Sequence, residues 1–271
     1  MTLAVPARHK TPLAGAFYRY WYPLLALSRR ELRKRYATTV FGALWTVLLP
    51  LAMLAIYLTV FGFILRSGRS DGQAWDFAVN MLAGLLPFQA FADGLQRACP
   101  ALREDRALLE RELFPAEVVA ASRVLSTSVS EVAGLVLLLL AVSMHGEPPG
   151  AVVLLLPLVI ALRILLTVGI GWIVSILSVF IADVAEVLGF VLTAWLFLTP
   201  IFYSPDALPA ALSWTLAVNP LHHLVASYRA LMLHGAVDWS SAALLLAWAL
   251  SMAMAGLWLH RKTIDRAKDF L

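Results

Sequence analysis

Two ionisable side chains stand alone in long apolar stretches of this sequence, and opposite charges in such surroundings form ion pairs. Glu131 lies about 13 residues into one stretch, and Arg163 lies about 12 residues into the next. A charge in apolar surroundings is costly unless a partner compensates it. In consecutive antiparallel helices both side chains reach the same depth, so the sequence predicts a Glu131–Arg163 pair. This pair is either structural support between helices or part of a polar pathway.

Residue patterns for catalysis are absent from the sequence. It contains no HExxH, GxSxG, CxxC or GxxxxGK[ST] motif. His222 and His223 are adjacent, and adjacent helical side chains point about 100° apart, so we expect no shared metal site. The sequence therefore predicts a protein that is not an enzyme and that binds no metal or cofactor itself.

Aromatic side chains in the apolar stretches suggest a second kind of chemistry. Trp195 and Phe197 lie too deep for the aromatic belts found at membrane interfaces. Aromatic rings can stack on the C–H faces of sugars, which lie between rims of hydroxyl groups. Packing against lipid tails or other helices is the alternative explanation.

Six apolar stretches must position these residues, because 61% of the chain is apolar, 14% is charged and the mean hydropathy is +0.80. About 20 apolar residues span a bilayer as a helix, and the stretches lack the alternation of a membrane β-barrel. The sequence therefore predicts an all-α membrane protein with six transmembrane helices. Their bounds are Val40–Leu65, Phe77–Leu95, Val118–Met144, Ala151–Ile181, Val184–Tyr203 and Ser241–Leu259.

The basic residues between these stretches predict the orientation. Sixteen Lys or Arg lie before the first span, in the second connection or in the tail, and three lie on the other side. By the positive-inside rule both termini are cytoplasmic. The net charge of +4 then reflects topology, and no nucleic-acid partner is expected. Arg123, near the cytoplasmic face, is expected to extend its charge to solvent, and Asp93 to pair with Arg97.

Residues 1–39 form a predicted cytoplasmic N-terminus that contains an amphipathic interfacial helix. Aromatic residues from Phe17 to Tyr22 precede the basic run Arg29–Arg35, and Pro23 is expected to break the helix. This segment is either a plain anchor on the membrane surface or also a receiver of an anionic lipid head group.

The second connection, residues 96–117, predicts an amphipathic helix between Pro100 and Pro115. Leu102, Leu109 and Leu113 share one face, and charges of both signs occupy the rest. The helix is too short to span. It lies on the membrane, docks into a groove of a partner protein, or is a solvated surface helix.

The fifth connection, residues 204–240, is long and largely apolar. Ala207–Leu216 and Leu221–Leu233 are separated by Asn219-Pro220. Irregular backbone at membrane depth requires surrounding protein or a water-filled cavity. The sequence therefore predicts two short outer helices that act as a gate, before the last span and a cytoplasmic tail at 260–271.

Several motifs in order along the chain resemble the ABC-2 type permeases that export bacterial surface polysaccharides, including the O-antigen, teichoic-acid and capsule exporters. The resemblance covers most of the chain. It rests on these residues: Arg33-Lys34-Arg35-Tyr36, Phe41-Gly42-Ala43-Leu44-Trp45, Leu49-Pro50-Leu51, Gly84-Leu85-Leu86-Pro87-Phe88, Leu113-Phe114-Pro115, Leu198-Thr199-Pro200-Ile201-Phe202-Tyr203-Ser204, Asn219-Pro220 and Tyr228-Arg229.

The resemblance implies a transmembrane subunit of an ATP-driven transporter in the bacterial inner membrane. Two copies of the chain would form a homodimeric channel for a lipid-linked polysaccharide. Two copies of a separate cytoplasmic ABC ATPase would bind and hydrolyse ATP with Mg²⁺. The alternative is an ABC-2 exporter of a small lipid or drug. A secondary transporter or a membrane enzyme is disfavoured, because internal repeats and convergent catalytic groups are absent.

The resemblance also assigns roles to individual residues. The helix in the second connection becomes the coupling helix that contacts the ATPase, and the first and fifth spans line the channel. The ATPase contacts are Arg103, Glu104, Arg106, Leu109, Arg111 and Phe114; the channel residues are Tyr57, Phe61, Trp195, Phe197, Phe202 and Tyr203; the lipid-phosphate residues are Arg30, Arg33, Lys34 and Arg35; the gate residues are Asn219, Pro220, Tyr228 and Arg229.

Overall fold

Every regular element that the computed structural model describes is a helix. The described residues are 13–37, 40–60, 71–110, 115–145 and 150–270. The helices are α1 Leu13–Ala37, α2 Trp45–Thr59, α3 Asp71–Ala98, α4 Ala101–Glu104, α5 Arg106–Glu110, α6 Ala116–His145, α7 Leu156–Phe180, α8 Val184–Leu198, α9 Trp214–Val218, α10 Pro220–Leu233 and α11 Trp239–Lys268. The predicted all-α class is confirmed.

Three helical segments are long and apolar enough to cross a membrane. They are Ala116–Met144, Ala151–Phe180 and Trp239–Lys268, and two shorter apolar helices are Trp45–Tyr57 and Val184–Leu198. Helix α3 has 28 residues but carries Asp76, Asn80 and Asp93 among its apolar residues. The chain is thus a helical membrane protein with at least three spans.

Helix α3 lies at the centre of the bundle. It contacts α2, α6, α7, α8 and α10, and its Leu82, Phe91 and Leu95 are almost fully buried. At one end of the bundle, α1, the second connection and the adjoining ends of α6, α7 and α11 form a smaller core around Leu27, Leu102 and Leu109. We call this the basic end, because the basic run of α1 lies there.

Helices α7 and α11 form the most extensive helix pair. They cross at Gly169 and Gly256, where a Cβ atom on Gly169 would lie 2.5 Å from the backbone nitrogen of Ala253. Real Cβ atoms do not approach backbone so closely, so the crossing requires glycine. Small residues at such crossings let membrane helices pack backbone against backbone. Gly169 and Gly256 therefore hold α7 and α11 in close backbone contact.

We expect Gly169→Ala to destabilise the bundle, because the added methyl group would force α7 and α11 apart at a cost of about 1–3 kcal/mol. The measurement is the temperature at which Cys99, the one cysteine in the chain and almost fully buried, reacts with a thiol dye. Gly189→Ala on α8 is the control, because no atom lies within 4 Å of its Cβ position. Equal midpoints for the two variants would contradict the prediction.

The predicted break at Pro23 is wrong. Helix α1 runs from Leu13 to Ala37 with Pro23 inside it. Proline has no backbone N–H, so the helix loses one hydrogen bond there, and the proline ring clashes with the preceding turn. Packing compensates, since α1 lies along α6, buries Leu27, and donates a hydrogen bond from Ser28 Oγ to the Ser122 carbonyl at 3.2 Å.

The fifth apolar helix ends earlier than predicted, at Leu198 rather than Tyr203. Pro200 excludes Thr199 from the helical conformation, and Thr199 is extended. The carbonyls of Pro200 and Ile201 instead accept hydrogen bonds from Arg229 at 2.8 and 3.0 Å. At the other end of the chain, α11 continues to Lys268 through most of the predicted tail.

The segment predicted as one coupling helix consists of two short helices, α4 and α5, so the single-helix prediction is wrong. The helix breaks at Asp105, whose backbone is not helical. The Asp105 carboxylate points inward to cations of α1 and α6 instead of lying on an exposed face. Residues 111–114, which include the predicted contacts Arg111 and Phe114, lie outside the described residues, as does Phe61.

Candidate functional site

A charged group that we call the basal cluster joins α1, the second connection and α6 at the basic end. At its centre Arg123 donates to Glu31 and, at 2.7 Å, to Asp105. All three side chains are less than 10% exposed. Arg30 also donates to Asp105 at 2.5 Å, and Lys34 and Glu104 complete the group. The buried part is Arg123 with Glu31 and Asp105, and the more exposed Arg30, Lys34 and Glu104 bring the group to three cations and three carboxylates.

The basal cluster corrects the expectation that Arg123 reaches solvent. Its side chain is buried, because two carboxylates lie within hydrogen-bond distance on the inner side. The sequence contained a signal for this cluster: Glu31 is the one acid among the five cations of Arg29–Arg35. Asp105 gave no comparable signal, since its position resembles the exposed face of an amphipathic helix.

The predicted ATPase contacts that the structure describes are of two kinds, exposed charged residues and one buried leucine. Arg103, Glu104 and Arg106 are exposed, whereas Leu109 is buried in the smaller core at the basic end. Arg103 donates to the Val179 carbonyl at the end of α7 at 3.3 Å. Leu109 thus anchors the segment, and the charged residues form its outer surface.

The predicted lipid-phosphate residues differ in what they contact. Arg30 and Lys34 belong to the basal cluster, and Arg35 pairs with Asp93 at 3.0 Å. Asp93 also pairs with Arg97 at 2.8 Å, which is the contact expected from their spacing. Arg33 is exposed and makes no ion pair within the described part of the chain.

A second buried group, the mid-bundle cluster, joins α6, α7 and α10. Arg163 donates to Glu131, the contact that the sequence predicts, and to Ser128 at 2.8 Å. Tyr228 donates to the other carboxylate oxygen of Glu131 at 2.7 Å. Arg163 and Tyr228 have no exposed surface, and Glu131 has 2%. Any role of this pair in transport remains a prediction.

A third group, the cap cluster, fastens α10 to the end of α8. Asn219 caps α10 by accepting from Leu221 N at 3.0 Å, and it also accepts from Trp195 Nε1 at 2.9 Å. Its amide donates to Thr199 Oγ1 at 3.1 Å. The helical break expected at Asn219-Pro220 is present, between α9 and α10.

Arg229 adds a further link between α10 and its neighbours. Its guanidinium donates to the carbonyls of Asn80, Pro200 and Ile201, so it ties α10 to α3 as well as to the chain after α8. Burial lowers the pKa of Arg229 to about 10, and it remains a cation at neutral pH. A guanidinium carries five N–H donors, so it can bond all three carbonyl oxygens at once.

We expect Asn219→Ala to lower the thermal midpoint more than Asn219→Asp. Alanine removes the cap and both side-chain bonds, with a cap alone worth about 1 kcal/mol. Aspartate keeps the two acceptor roles and loses only the bond to Thr199. The midpoint is measured by Cys99 reactivity, and Trp195→Phe, which keeps the ring contact with Phe91 but loses the Nε1 donor, should lie between them. Identical midpoints for alanine and aspartate would contradict the assignment.

The predicted channel aromatics that lie in the described residues do not form one surface in the single chain. Trp195 points into the bundle and contacts Phe91 edge-on at 5.6 Å, whereas Phe197 is 63% exposed. Phe202 packs near Phe197 at 6.0 Å, and Tyr203 donates to the Phe197 carbonyl at 3.0 Å. Tyr57 is half-buried on α2. Their shared role in a channel stays a prediction.

Two cavities lie beside these groups. One of about 1160 Å³ opens at the end opposite the basic end, lined by Asp76, Asn80, Tyr203, Arg229 and Asp238 among others. Burial alone would raise the pKa of Asp238, but hydrogen bonds from Ser240 and Ser241 have the larger effect and lower this pKa to about 2. The other cavity, of about 420 Å³, lies between α2, α3 and α6.

The described residues contain no group of His, Cys, Asp or Glu that could hold a metal ion. The His223 ring nitrogen Nε2 lies 3.0 Å from the Ala217 carbonyl, and the His222 and His223 rings meet edge to face. This pair therefore packs at the start of α10 and does not converge on a common point.

Comparison of the chain with known proteins identifies its family. The model of the ABC-2 type transporter family matches residues 22–233. The chain belongs to the ABC-2 type transporter family. The resemblance seen in the sequence motifs is thereby confirmed, and all three clusters lie inside the ABC-2 match.

The chain is similar to proteins named for O-antigen export and for polysialic acid transport. The O-antigen export system permease protein RfbA of Myxococcus xanthus is 30% identical over 221 residues, 81% of this chain and 83% of that protein. RfbA of Klebsiella pneumoniae is 24% identical over 249 residues, 92% and 94% of the two chains. The polysialic acid transport protein KpsM of Escherichia coli is 32% identical over 215 residues, 79% and 82%.

Proposed function

We propose that this chain is the transmembrane subunit of an ATP-driven exporter that moves a lipid-linked surface polysaccharide across the bacterial inner membrane. The observation that carries the proposal is the similarity, over about four-fifths of the chain or more, to permeases named for O-antigen and polysialic acid export. A small lipid or a drug remains the alternative cargo of an ABC-2 exporter. Transport by this chain would be driven by a partner, since the sequence has no nucleotide-binding motif.

The proposed topology has six spans with both termini in the cytoplasm. It adds α2, α3 and α8 to the three long apolar segments. Helices α2 and α8 have 15 residues each and are about 22 Å long, so flanking turns must complete their crossing. The excess of Lys and Arg at the basic end supports placing that end in the cytoplasm.

The proposed partner is a cytoplasmic ABC ATPase in two copies, bound to a homodimer of this chain, with ATP and Mg²⁺ held by the ATPase. Its contact surface would be the exposed part of the second connection around Arg103 and Arg106. The basal cluster supports this choice because it fixes that segment to α6 through Asp105 and Arg123. Movement of the segment would therefore displace a membrane helix.

The proposed cargo would approach along α1. Arg33 and Lys34 are the more exposed of the four predicted cations and suit a lipid phosphate, although Lys34 also pairs with Glu31 at 3.4 Å. Arg30 and Arg35 are less exposed and pair with Asp105 and Asp93. The cap cluster and Arg229 would hold the outer helices α9 and α10 closed over the path until α6 moves.

The function is tested by deleting the gene in its own bacterium and measuring surface polysaccharide. We expect the glycan to disappear from the surface and accumulate in the cytoplasm on its lipid anchor, with recovery when the gene is restored. Normal surface glycan, combined with loss of a small-lipid or drug efflux activity, would support the alternative cargo and reject this proposal.

We expect the double reversal Arg103→Glu and Arg106→Glu to weaken the complex with the ATPase at least tenfold. Each reversal replaces a cation of the exposed surface by an anion. Opposite charges across an interface speed association of the two proteins, and like charges oppose it. The measurement is co-purification and the ATP hydrolysis rate of the complex. Arg33→Glu on α1 is the control and should leave both unchanged while reducing export. Full ATPase binding by the double variant would reject the proposed contact surface.

A further inference from the structure

The cavity of about 1160 Å³ at the end opposite the basic end, which we call the outer cavity, has polar side chains without partners on its wall. Asp76 and Asn80 lie four residues apart on one face of α3, His222 lies on α10, and His234 follows α10. The side chains of Asp76, Asn80 and His234 make no hydrogen bond or ion pair within the described residues. The buried Nδ1 atom of His222 also has no hydrogen-bond partner there. These four side chains are therefore available to a ligand.

The polar groups of the outer cavity lie around its wall and do not meet at one point. Among the described residues no three His, Cys, Asp or Glu side chains are placed to hold a metal ion. Apolar side chains, including Phe202, Val225 and Val237, line the wall as well. A ligand that reaches the polar groups of both α3 and α10 must be extended and must carry several hydrogen-bonding groups. A saccharide has this chemistry, because its hydroxyls bond to carboxylates, amides and imidazoles and its C–H faces pack on apolar rings.

The fixed charges of the outer cavity sum to one negative charge. They are the carboxylates of Asp76 and Asp238 and the guanidinium of Arg229. Arg229 donates to three backbone carbonyls, and Asp238 accepts hydrogen bonds only from Ser240 and Ser241, so neither carboxylate is paired with a cation in the described part of the chain. Like charges repel, and more strongly near a protein wall than in bulk water. The wall therefore favours an uncharged saccharide over an acidic one.

We propose that the outer cavity binds a neutral segment of the exported glycan and discriminates against an acidic one, an inference that rests on the proposed function. Sugar hydroxyls donate to the Asp76 carboxylate and bond to the Asn80 amide on α3, and another bonds to His222 Nδ1 on α10. The Phe202 ring faces a C–H surface of the sugar. Pockets for single small molecules measure about 300–1,000 Å³, so this larger cavity holds a short stretch of glycan.

Binding of matched oligosaccharides to the purified chain in phosphatidylcholine nanodiscs tests this proposal. The parent probe is a short fragment released by mild acid from the surface polysaccharide of the same bacterium. Two derivatives carry carboxymethyl or carbamoylmethyl ethers on its hydroxyls, which are similar in size and differ in charge. We expect the parent fragment to bind, and the carboxymethyl derivative to bind at least tenfold more weakly than the carbamoylmethyl derivative, a difference of about 1.4 kcal/mol.

Three results would overturn the proposal: no binding of the parent fragment, equal affinity for the two derivatives, or a native surface polysaccharide that itself carries an acidic group in each repeat. The first two results test the cavity by direct binding. The third compares the charge of the wall with the chemistry of the glycan, and it needs only a composition analysis.

Two variants assign the binding to the outer cavity. Asp76→Asn keeps the size of an exposed side chain that has no partner to lose, and it should reduce the discrimination between the two derivatives at least threefold. Asp265→Asn, the same change at an exposed position near the other end of α11, is the matched control and should leave the discrimination unchanged. Asn80→Leu should weaken the parent fragment about tenfold at an unchanged thermal midpoint. Equal discrimination by Asp76→Asn and Asp265→Asn would overturn the proposal.

The export assay separates failure of the outer cavity from failure of the proposed function. Loss of surface glycan on gene deletion, together with no binding of the parent fragment, rejects the cavity proposal and leaves the exporter assignment standing. Normal surface glycan after gene deletion rejects the exporter assignment, and the cavity proposal fails with it because the fragment is then not cargo of this chain.

Discussion

Replacing Arg163 with methionine is expected to lower the thermal midpoint of the protein by roughly 10 °C. The change leaves the Glu131 carboxylate buried with one remaining partner, Tyr228, and breaking a buried ion pair in this way costs about 3–5 kcal/mol. Arg163 has no exposed surface, so water cannot replace the lost partner. The midpoint is measured by the reactivity of Cys99 with a thiol dye.

The double variant Arg163→Met and Glu131→Gln serves as the control for Arg163→Met. The neutral amide no longer needs a cation and can still accept the hydrogen bond from Tyr228, so we expect at least half of the lost stability to return. A single variant as stable as the parent protein would contradict the prediction.

The same double variant decides between the two roles that the sequence leaves open for this pair. A stable double variant that still exports glycan would identify the pair as structural support between α6 and α7. A stable double variant that no longer exports would identify it as part of a polar pathway.

Arg123→Gln is expected to have the second largest effect. It removes the central cation of the basal cluster and leaves two buried carboxylates, Glu31 and Asp105, with only the peripheral Arg30 and Lys34. We expect a loss of about 3 kcal/mol and faster cleavage by trypsin at Arg103 and Arg106, because the segment is no longer held to α6. The thermal midpoint and limited trypsin digestion measure the two effects.

Arg97→Gln is the matched control for Arg123→Gln. Its guanidinium pairs with Asp93 in a position where both side chains are about one-third exposed, and such pairs contribute about 0–1 kcal/mol. Cleavage at Arg103 that is no faster in Arg123→Gln than in Arg97→Gln would show that the basal cluster does not fix the segment.

The long apolar helices and one ion pair between them could be predicted from the sequence. The largely apolar run from Val118 to Met144, which contains only the charges of Arg123 and Glu131, is long enough to define a helix, and α6 agrees with it within a few residues. The Glu131–Arg163 contact could also be predicted, because two isolated opposite charges at equal depth in neighbouring helices have few other partners.

Features that depend on tertiary partners could not be predicted. Pro23 is tolerated because α6 supports α1, and Asp105 breaks its helix because Arg30 and Arg123 lie inside. These contacting residues are distant in sequence from Pro23 and Asp105. Local helix propensity therefore predicted a helix break at Pro23 and a continuous helix at Asp105, and both predictions were wrong. Trp195 was expected beside Phe197 on a channel wall, but Asn219 and Phe91 draw it inward.

Helix α6 is anchored at two levels by charges on different sides. Arg123 and Glu131 are eight residues apart, which separates them by about 12 Å along the axis and about 80° around it. Rotation of α6 would pull Arg123 away from Asp105 and Glu131 away from Arg163 and Tyr228 in one step. The contacts at both levels oppose rotation of α6, so we expect a displacement of Asp105 to move Arg123 and Glu131 together and to change the contact between Glu131 and Tyr228.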